Sequence, residues 1–215
     1  MLAGLAVMAF GVALSIVAGL GTSPISSLPY VASRVFPVSV GLATILMNAV
    51  FVLIQIALLG RRYRPLQLLQ VPVALLFGVL IDLCLWLLRG VDLASYLEQW
   101  AWCLAGVVVV GVAVAMMVIA DVVVLAGEGV VLAVRDRLHW ARVTHPLAEF
   151  GALKVLFDVT LVGIASILSL LVLHELVGVR EGTVAAALGV GVVARWVVRA
   201  VQPGSERGFR EPTDG

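Results

Sequence analysis

Charged and amide side chains set inside long apolar stretches are the residues of this chain whose chemistry asks for an explanation. Lys154 and Asp158 stand four residues apart, on one face of a helix, and Lys154 is the only lysine in the sequence. Such a pair either neutralises itself locally or takes part in binding and proton transfer. Asp121 has no opposite charge one turn away, so its partner comes from another helix or is a proton. Glu128 sits between two glycines in Gly127-Glu128-Gly129, and Asp82 and Arg195 lie within apolar runs of their own. Thr22, Ser23 and Asn48 are neutral polar groups at the corresponding places in the first half of the chain. A charge at the centre of a lipid-embedded helix costs about 2.5–3.5 kcal/mol on insertion scales, so these residues are candidates for a substrate- or ion-binding site. His139 and His145 share no metal-ligand spacing, and a phosphate loop, a nucleophile elbow and a zinc-binding histidine pair are all missing. The sequence therefore predicts no metal, no cofactor and no enzyme.

The elements that hold these residues are dictated by composition. Of 215 residues, 62% are hydrophobic and 13% charged, with a mean hydropathy of +1.15. Soluble domains run at roughly 45–50% apolar and about 25% charged, so the solvent here is lipid. A net charge of +1 without a basic stripe excludes nucleic acid as a partner, and two cysteines exclude a disulfide scaffold. Six apolar segments of membrane-spanning length follow: Leu2–Leu20, Val38–Leu59, Leu68–Leu88, Trp102–Ala126, Phe150–Leu173 and Thr183–Val201. The fold class is all-α, a polytopic membrane protein with a single transmembrane domain over residues 1–201 and a disordered tail over 202–215. The first segment lacks the basic start of a signal peptide and reads as a span.

Arginines orient the spans. Arg61, Arg62, Arg64, Arg135, Arg137, Arg142, Arg199, Arg207 and Arg210 fall on one side if the spans alternate, against Arg34, Arg89 and Arg180 on the other. Both termini are thereby predicted to be cytoplasmic. On that orientation, a rise of 1.5 Å per residue puts Asp158 roughly 12 Å, Lys154 about 6 Å, Asp121 about 7–8 Å and Arg195 about 9 Å inside the cytoplasmic boundary. Asp82 lies about 9 Å inside the outer one.

Self-similarity suggests a duplication. Val17-Ala18-Gly19-Leu20-Gly21 and Leu125-Ala126-Gly127-Glu128-Gly129 each close a span, 108 positions apart. A shift of 110 pairs Gly41 with Gly151, Asn48 with Asp158 and Ile54 with Ile164, and a shift of 111 pairs Gly78 with Gly189. Three spans per unit, about 2–88 and about 102–201, force two inverted repeats. Each unit reads as a span, a Gly-x-Gly break, a short helix and two further spans. Ser23 caps the first short helix and Pro24 occupies its first turn; Val130–Trp140 is the second, amphipathic one. Helix starts at such breaks present free N–H groups suited to anions.

Gly21-Thr22-Ser23-Pro24-Ile25-Ser26-Ser27-Leu28-Pro29-Tyr30, Gly78-Val79-Leu80-Ile81-Asp82, Gly127-Glu128-Gly129, Lys154-Val155-Leu156-Phe157-Asp158-Val159-Thr160 and Arg180-Glu181-Gly182-Thr183 together resemble the YczE/YyaS/YitT-type bacterial membrane proteins. The resemblance runs from about residue 3 to residue 200. It implies an integral protein of the bacterial plasma (inner) membrane and supplies no substrate. Other branches of that group have Pro-Trp-Asp where Pro24-Ile25-Ser26 stands here, and Gly-Pro in the last span where Gly189-Val190-Gly191 stands.

The expected activity is that of a small permease, proton-coupled, for a small polar or anionic solute. Lys154, Asp158, Asp121 and Glu128 would form its charged cluster, with Asp82 and Arg195 as further candidates and Thr22, Ser23 and Asn48 as a neutral counterpart. The lipid bilayer is the obligatory partner, and six helices enclose a site either alone or as a homodimer. A non-transporting accessory or assembly protein docking through Arg135, Arg137 and Arg142 is the alternative, as is a membrane-embedded binding subunit of a larger transporter.

Overall fold

A computed structural model describes residues 1–120, 125–140 and 149–201. Among them it contains eight α-helices: α1 (Leu2–Ala18), α2 (Pro24–Val35), α3 (Val40–Leu59), α4 (Gln70–Leu88), α5 (Tyr96–Ala120), α6 (Ala126–Trp140), α7 (Phe150–Leu173) and α8 (Glu181–Val201). No strand occurs among the described residues. Five helical stretches are long and apolar enough to cross a bilayer: Val40–Arg62, Pro65–Leu88, Tyr96–Ala120, Phe150–Leu173 and Glu181–Val201. Large apolar side chains stand outward along them, such as Leu53, Val79, Leu171 and Leu188, which only lipid solvates without cost. The chain is a multi-pass membrane protein.

The first expected span, Leu2–Leu20, is shorter than predicted. Helix α1 stops at Ala18 because Gly19 turns into the left-handed region, with φ 71°. Its 17 residues reach about 26 Å, less than a hydrocarbon core of about 30 Å. The fourth expected span also moves: α5 begins at Tyr96 rather than Trp102, because Glu98 accepts from the Ala94 and Ser95 N–H groups and starts the helix early.

The chain folds into two compact units. One holds α1, α5 and α8 with the connections that contain Gly19–Ser23 and Gly178–Arg180. Helix α1 packs on α5 through small residues: a Cβ on Gly106 would lie 2.4 Å from Ser15 Oγ and 2.9 Å from the Gly11 carbonyl. Small residues let backbones approach where lipid gives no hydrophobic drive. Leu5, Ala9, Ala13, Ala18, Ala113 and Ala115 are fully buried in this unit. Helix α8 packs on α5 through Ala115, Ala194 and Val198. The chain after α1 is tied to the start of α8 by main-chain bonds, Thr22 N–H to Gly178 O (3.1 Å) and Gly182 N–H to Leu20 O (2.8 Å). Gly21 is needed there because its φ is +100° and Thr183 Oγ1 fills the space a Cβ would take.

The other unit holds α2, α3, α6, α7 and α4 as far as Asp82. Both short helices, α2 and α6, pack against α3 and α7. The core between them is Phe51, Val52, Ala126, Val130 and Leu161, with Ile25, Leu28 and Phe157 against it. Phe51 and Phe157 meet at 5.3 Å between ring centroids.

Candidate functional site

Residues of the Gly127-Glu128-Gly129 motif are helical rather than a break: α6 begins at Ala126, which puts Glu128 in its first turn. That position is favourable for a carboxylate, since the helix N-terminus carries partial positive charge. Two of the glycines in this turn exist for proximity. A Cβ on Gly127 would lie 2.4 Å from Ile25 Cδ1, so α2 presses directly on the start of α6.

Across from it, α7 carries the Lys154–Asp158 ion pair at the i, i+4 spacing, each side chain about a quarter exposed (28% and 26%). Lys154 Nζ also lies 5.9 Å from the centre of the Phe157 ring. Glu128 lies within electrostatic reach of both members of this pair. Burial pushes its carboxyl above the ordinary value of 4.5; Lys154 opposes that shift and Asp158 adds to it. The Lys154 ammonium is paired with Asp158 and acts on Glu128 at longer range, from α7 to α6. Three of the sequence candidates are brought together in this way.

The remaining candidates stand elsewhere. Asp82 caps a helix: its Oδ1 accepts from the Gly41 N–H (2.7 Å) and its Oδ2 from Ser39 Oγ (2.6 Å), at the start of α3, where Ser39 is the N-cap. The carboxylate thereby satisfies helix N-terminal groups from the neighbouring helix. Asn48 is buried and donates from Nδ2 to the Thr44 carbonyl one turn back (2.8 Å). Thr22 and Ser23 belong to the α1–α5–α8 unit, where the Thr22 backbone holds the start of α8 in place. Arg195 is exposed on α8 of that same unit, beside the exposed Trp196. Asp121 lies outside the described residues, as do Arg142 and His145.

A polar network that sequence reasoning passed over lies within the α2–α3–α6–α7 unit. Gln55 on α3 is wholly buried. Its Nε2 donates to Gln70 Oε1 (2.9 Å) and to the Ala126 carbonyl (3.0 Å), while its Oε1 has no partner among the described residues. A Cβ on Gly129 would sit 2.6 Å from that Oε1, so the amide lies against the first turn of α6. The signal was present in Leu53-Ile54-Gln55-Ile56, an amide in the middle of an apolar run. Replacing Gln55 by leucine strands the Gln70 and Ala126 acceptors, and we expect a loss of about 1–3 kcal/mol, read as a lower unfolding midpoint of the detergent-solubilised protein.

No metal-binding group of three or more His, Cys, Asp or Glu side chains occurs among the described residues. No curated protein matches the chain. No solved structure matches it either. A family of unknown function, DUF6198, matches residues 1–199. That match covers α1 to α7 whole and α8 but for its last two residues, including α6 and α7 with their three ionisable groups, and the chain belongs to this family.

Proposed function

We propose that the protein is a small proton-coupled permease for a small polar or anionic solute, with Glu128, Lys154 and Asp158 as its charged cluster. One observation carries this reading: Glu128, in the first turn of α6, lies within electrostatic reach of the Lys154–Asp158 ion pair on α7. A half-buried carboxylate whose nearest ammonium is already paired with another carboxylate is poised to take up a proton, and exchange of that proton against solute is the elementary act of coupling.

We further propose six spans arranged as two inverted repeats, α1–α4 and α5–α8, in a bacterial plasma membrane with both termini cytoplasmic. Supporting the repeat, α2 and α6 are its corresponding short helices, and each packs on both α3 and α7. Supporting the orientation, Arg61, Arg62, Arg64 and Arg137 are exposed at the ends of α3 and α6. On this reading α1 counts as a span although it is short, its ends reaching the interface through local thinning of the bilayer.

The test is Glu128→Gln. Because the folded value of Glu128 is raised, its contribution to stability is complete below the unfolded value near 4.5 and is lost as pH rises through the folded value. We expect the wild-type unfolding midpoint to fall over that window and the Glu128→Gln protein, fixed in the neutral form, to hold its midpoint. In proteoliposomes loaded with a pH-sensitive dye and presented with amino acids, short carboxylic acids and phosphate, we expect solute-evoked proton flux in the wild type and none in Glu128→Gln. Equal flux in both proteins overturns the assignment.

A further inference from the structure

The turn between α3 and α4 has a composition that the permease reading leaves unused. Arg61, Arg62 and Arg64 are all exposed there. They form no ion pair among the described residues. The Arg62 guanidinium carbon lies over the Trp140 ring at the end of α6, 4.1 Å from its centre. A cation–π contact of this kind holds the guanidinium in place without consuming its N–H donors on an acceptor oxygen. Arg137, exposed one turn before Trp140 on α6, adds a fourth positive charge, whereas Arg135 is spent on Asp136 at 3.2 Å.

Directly after these arginines, the short 3-10 turn Pro65–Leu69 exposes Leu66, Leu68 and Leu69, Leu66 to 70%. Arginines, a partly exposed tryptophan and bare leucines in adjacent positions match a membrane surface, where phosphates, the interfacial belt and acyl chains succeed one another in depth. A soluble anion would satisfy the arginines but leave the leucines in water.

We propose that Arg61, Arg62 and Arg64, with Trp140 as the shelf for Arg62, bind the phosphodiester headgroup of an anionic phospholipid whose acyl chains cover Leu66, Leu68 and Leu69. The planar N–H edges of the guanidinium groups pair with phosphate oxygens. The net negative charge of the headgroup separates this lipid from a zwitterionic one, in which a bound ammonium would meet the arginines.

The experiment uses the full chain in detergent, titrated with phosphatidylglycerol, phosphatidylcholine or inorganic phosphate, with lipid retention read by native mass spectrometry and affinity by the quenching of tryptophan fluorescence with brominated lipid. Each arginine near an anionic surface contributes about fivefold in affinity. We expect phosphatidylglycerol to bind the wild type selectively, each of R61Q, R62Q and R64Q to weaken it about fivefold, and the triple variant to weaken it about a hundredfold. R199Q, at an exposed arginine on α8, should leave it unchanged. Because the three arginines are exposed, the variants keep the fold, and the single variants carry the test if the triple one does not. The proposal is overturned if phosphatidylcholine binds as well as phosphatidylglycerol, if inorganic phosphate displaces the lipid at equal concentration, or if the variants bind like the wild type.

Discussion

Gly41→Ala will prevent α3 and α4 from closing on each other, and we expect little folded protein to survive extraction from the membrane. A Cβ at Gly41 would lie 2.1 Å from the Gly78 carbonyl oxygen and 2.5 Å from the Asp82 carboxylate. The contact is reciprocal, since a Cβ at Gly78 would lie 2.5 Å from the Gly41 carbonyl oxygen. The nearer obstruction, the Gly78 carbonyl oxygen, belongs to backbone, so no rotamer change relieves the clash, and the helices must separate. Separation also breaks the bonds from Gly41 N–H and Ser39 Oγ to Asp82, leaving a carboxylate in an apolar setting. Overpacking costs typically about 1–3 kcal/mol, and losing the partners of the half-buried Asp82 carboxylate adds about 1–3 kcal/mol; together they take a large share of the stability of a domain. Gly151→Ala is the control. Nothing lies within 4 Å of its Cβ position, and alanine favours a helix over glycine by about 1 kcal/mol. Its unfolding midpoint should equal or exceed that of the wild type, whereas Gly41→Ala should elute as aggregate on size exclusion.

Lys154→Met is the second large effect. Removing the ammonium leaves Asp158 without its ion-pair partner and Glu128 facing a like charge. Breaking a buried pair costs about 3–5 kcal/mol; with each partner about a quarter exposed, about 2 kcal/mol is the reasonable expectation for this one. The double replacement Lys154→Met, Asp158→Asn should recover most of it, because it removes the stranded charge together with its partner. Glu128 provides a second reading of the same change. Lys154 holds the Glu128 value down, so Lys154→Met should raise it further and move the pH-dependent fall in stability to higher pH. A pair that serves only to hold α7 together predicts the stability loss and its rescue, but no movement of that pH window.

Five of the six expected spans coincide with helices long and apolar enough to cross a bilayer, because their apolar runs are unbroken. Phe150–Leu173 agrees at both ends. The α1 boundary was misjudged by two residues since Gly19 and Leu20 look as apolar as what precedes them. Pairing of Lys154 with Asp158 could be read from their spacing alone, and it is present. The joining of Glu128 to that pair depends on where α6 begins, and Gly127-Glu128-Gly129 resembles a turn until tertiary contact with Ile25 and Gln55 gives its glycines another purpose. Asp82 shows the limit from the other side. Its cost in lipid marked it as unusual, but only the approach of α3 reveals that its lone pairs go to Ser39 and Gly41. Gln55 was passed over although, like Asn48, it is an amide inside an apolar run, and a wholly buried amide constrains its neighbours firmly.

The main-chain bonds that join the segment after α1 to the start of α8 bear on how the protein is made. Gly19 and Arg180, whose guanidinium donates to the Gly19 carbonyl, are 161 residues apart. When α1 leaves the ribosome, the partners of Leu20 and Thr22 have not been synthesised, and most of the chain must emerge before they exist. At roughly 5–20 residues per second, that wait is on the order of ten to thirty seconds. During it, the polar main chain beyond α1 relies on water, lipid headgroups or the insertion machinery. The segment after the first helix, though not the helix itself, which already packs on α5, is thus among the last to be secured.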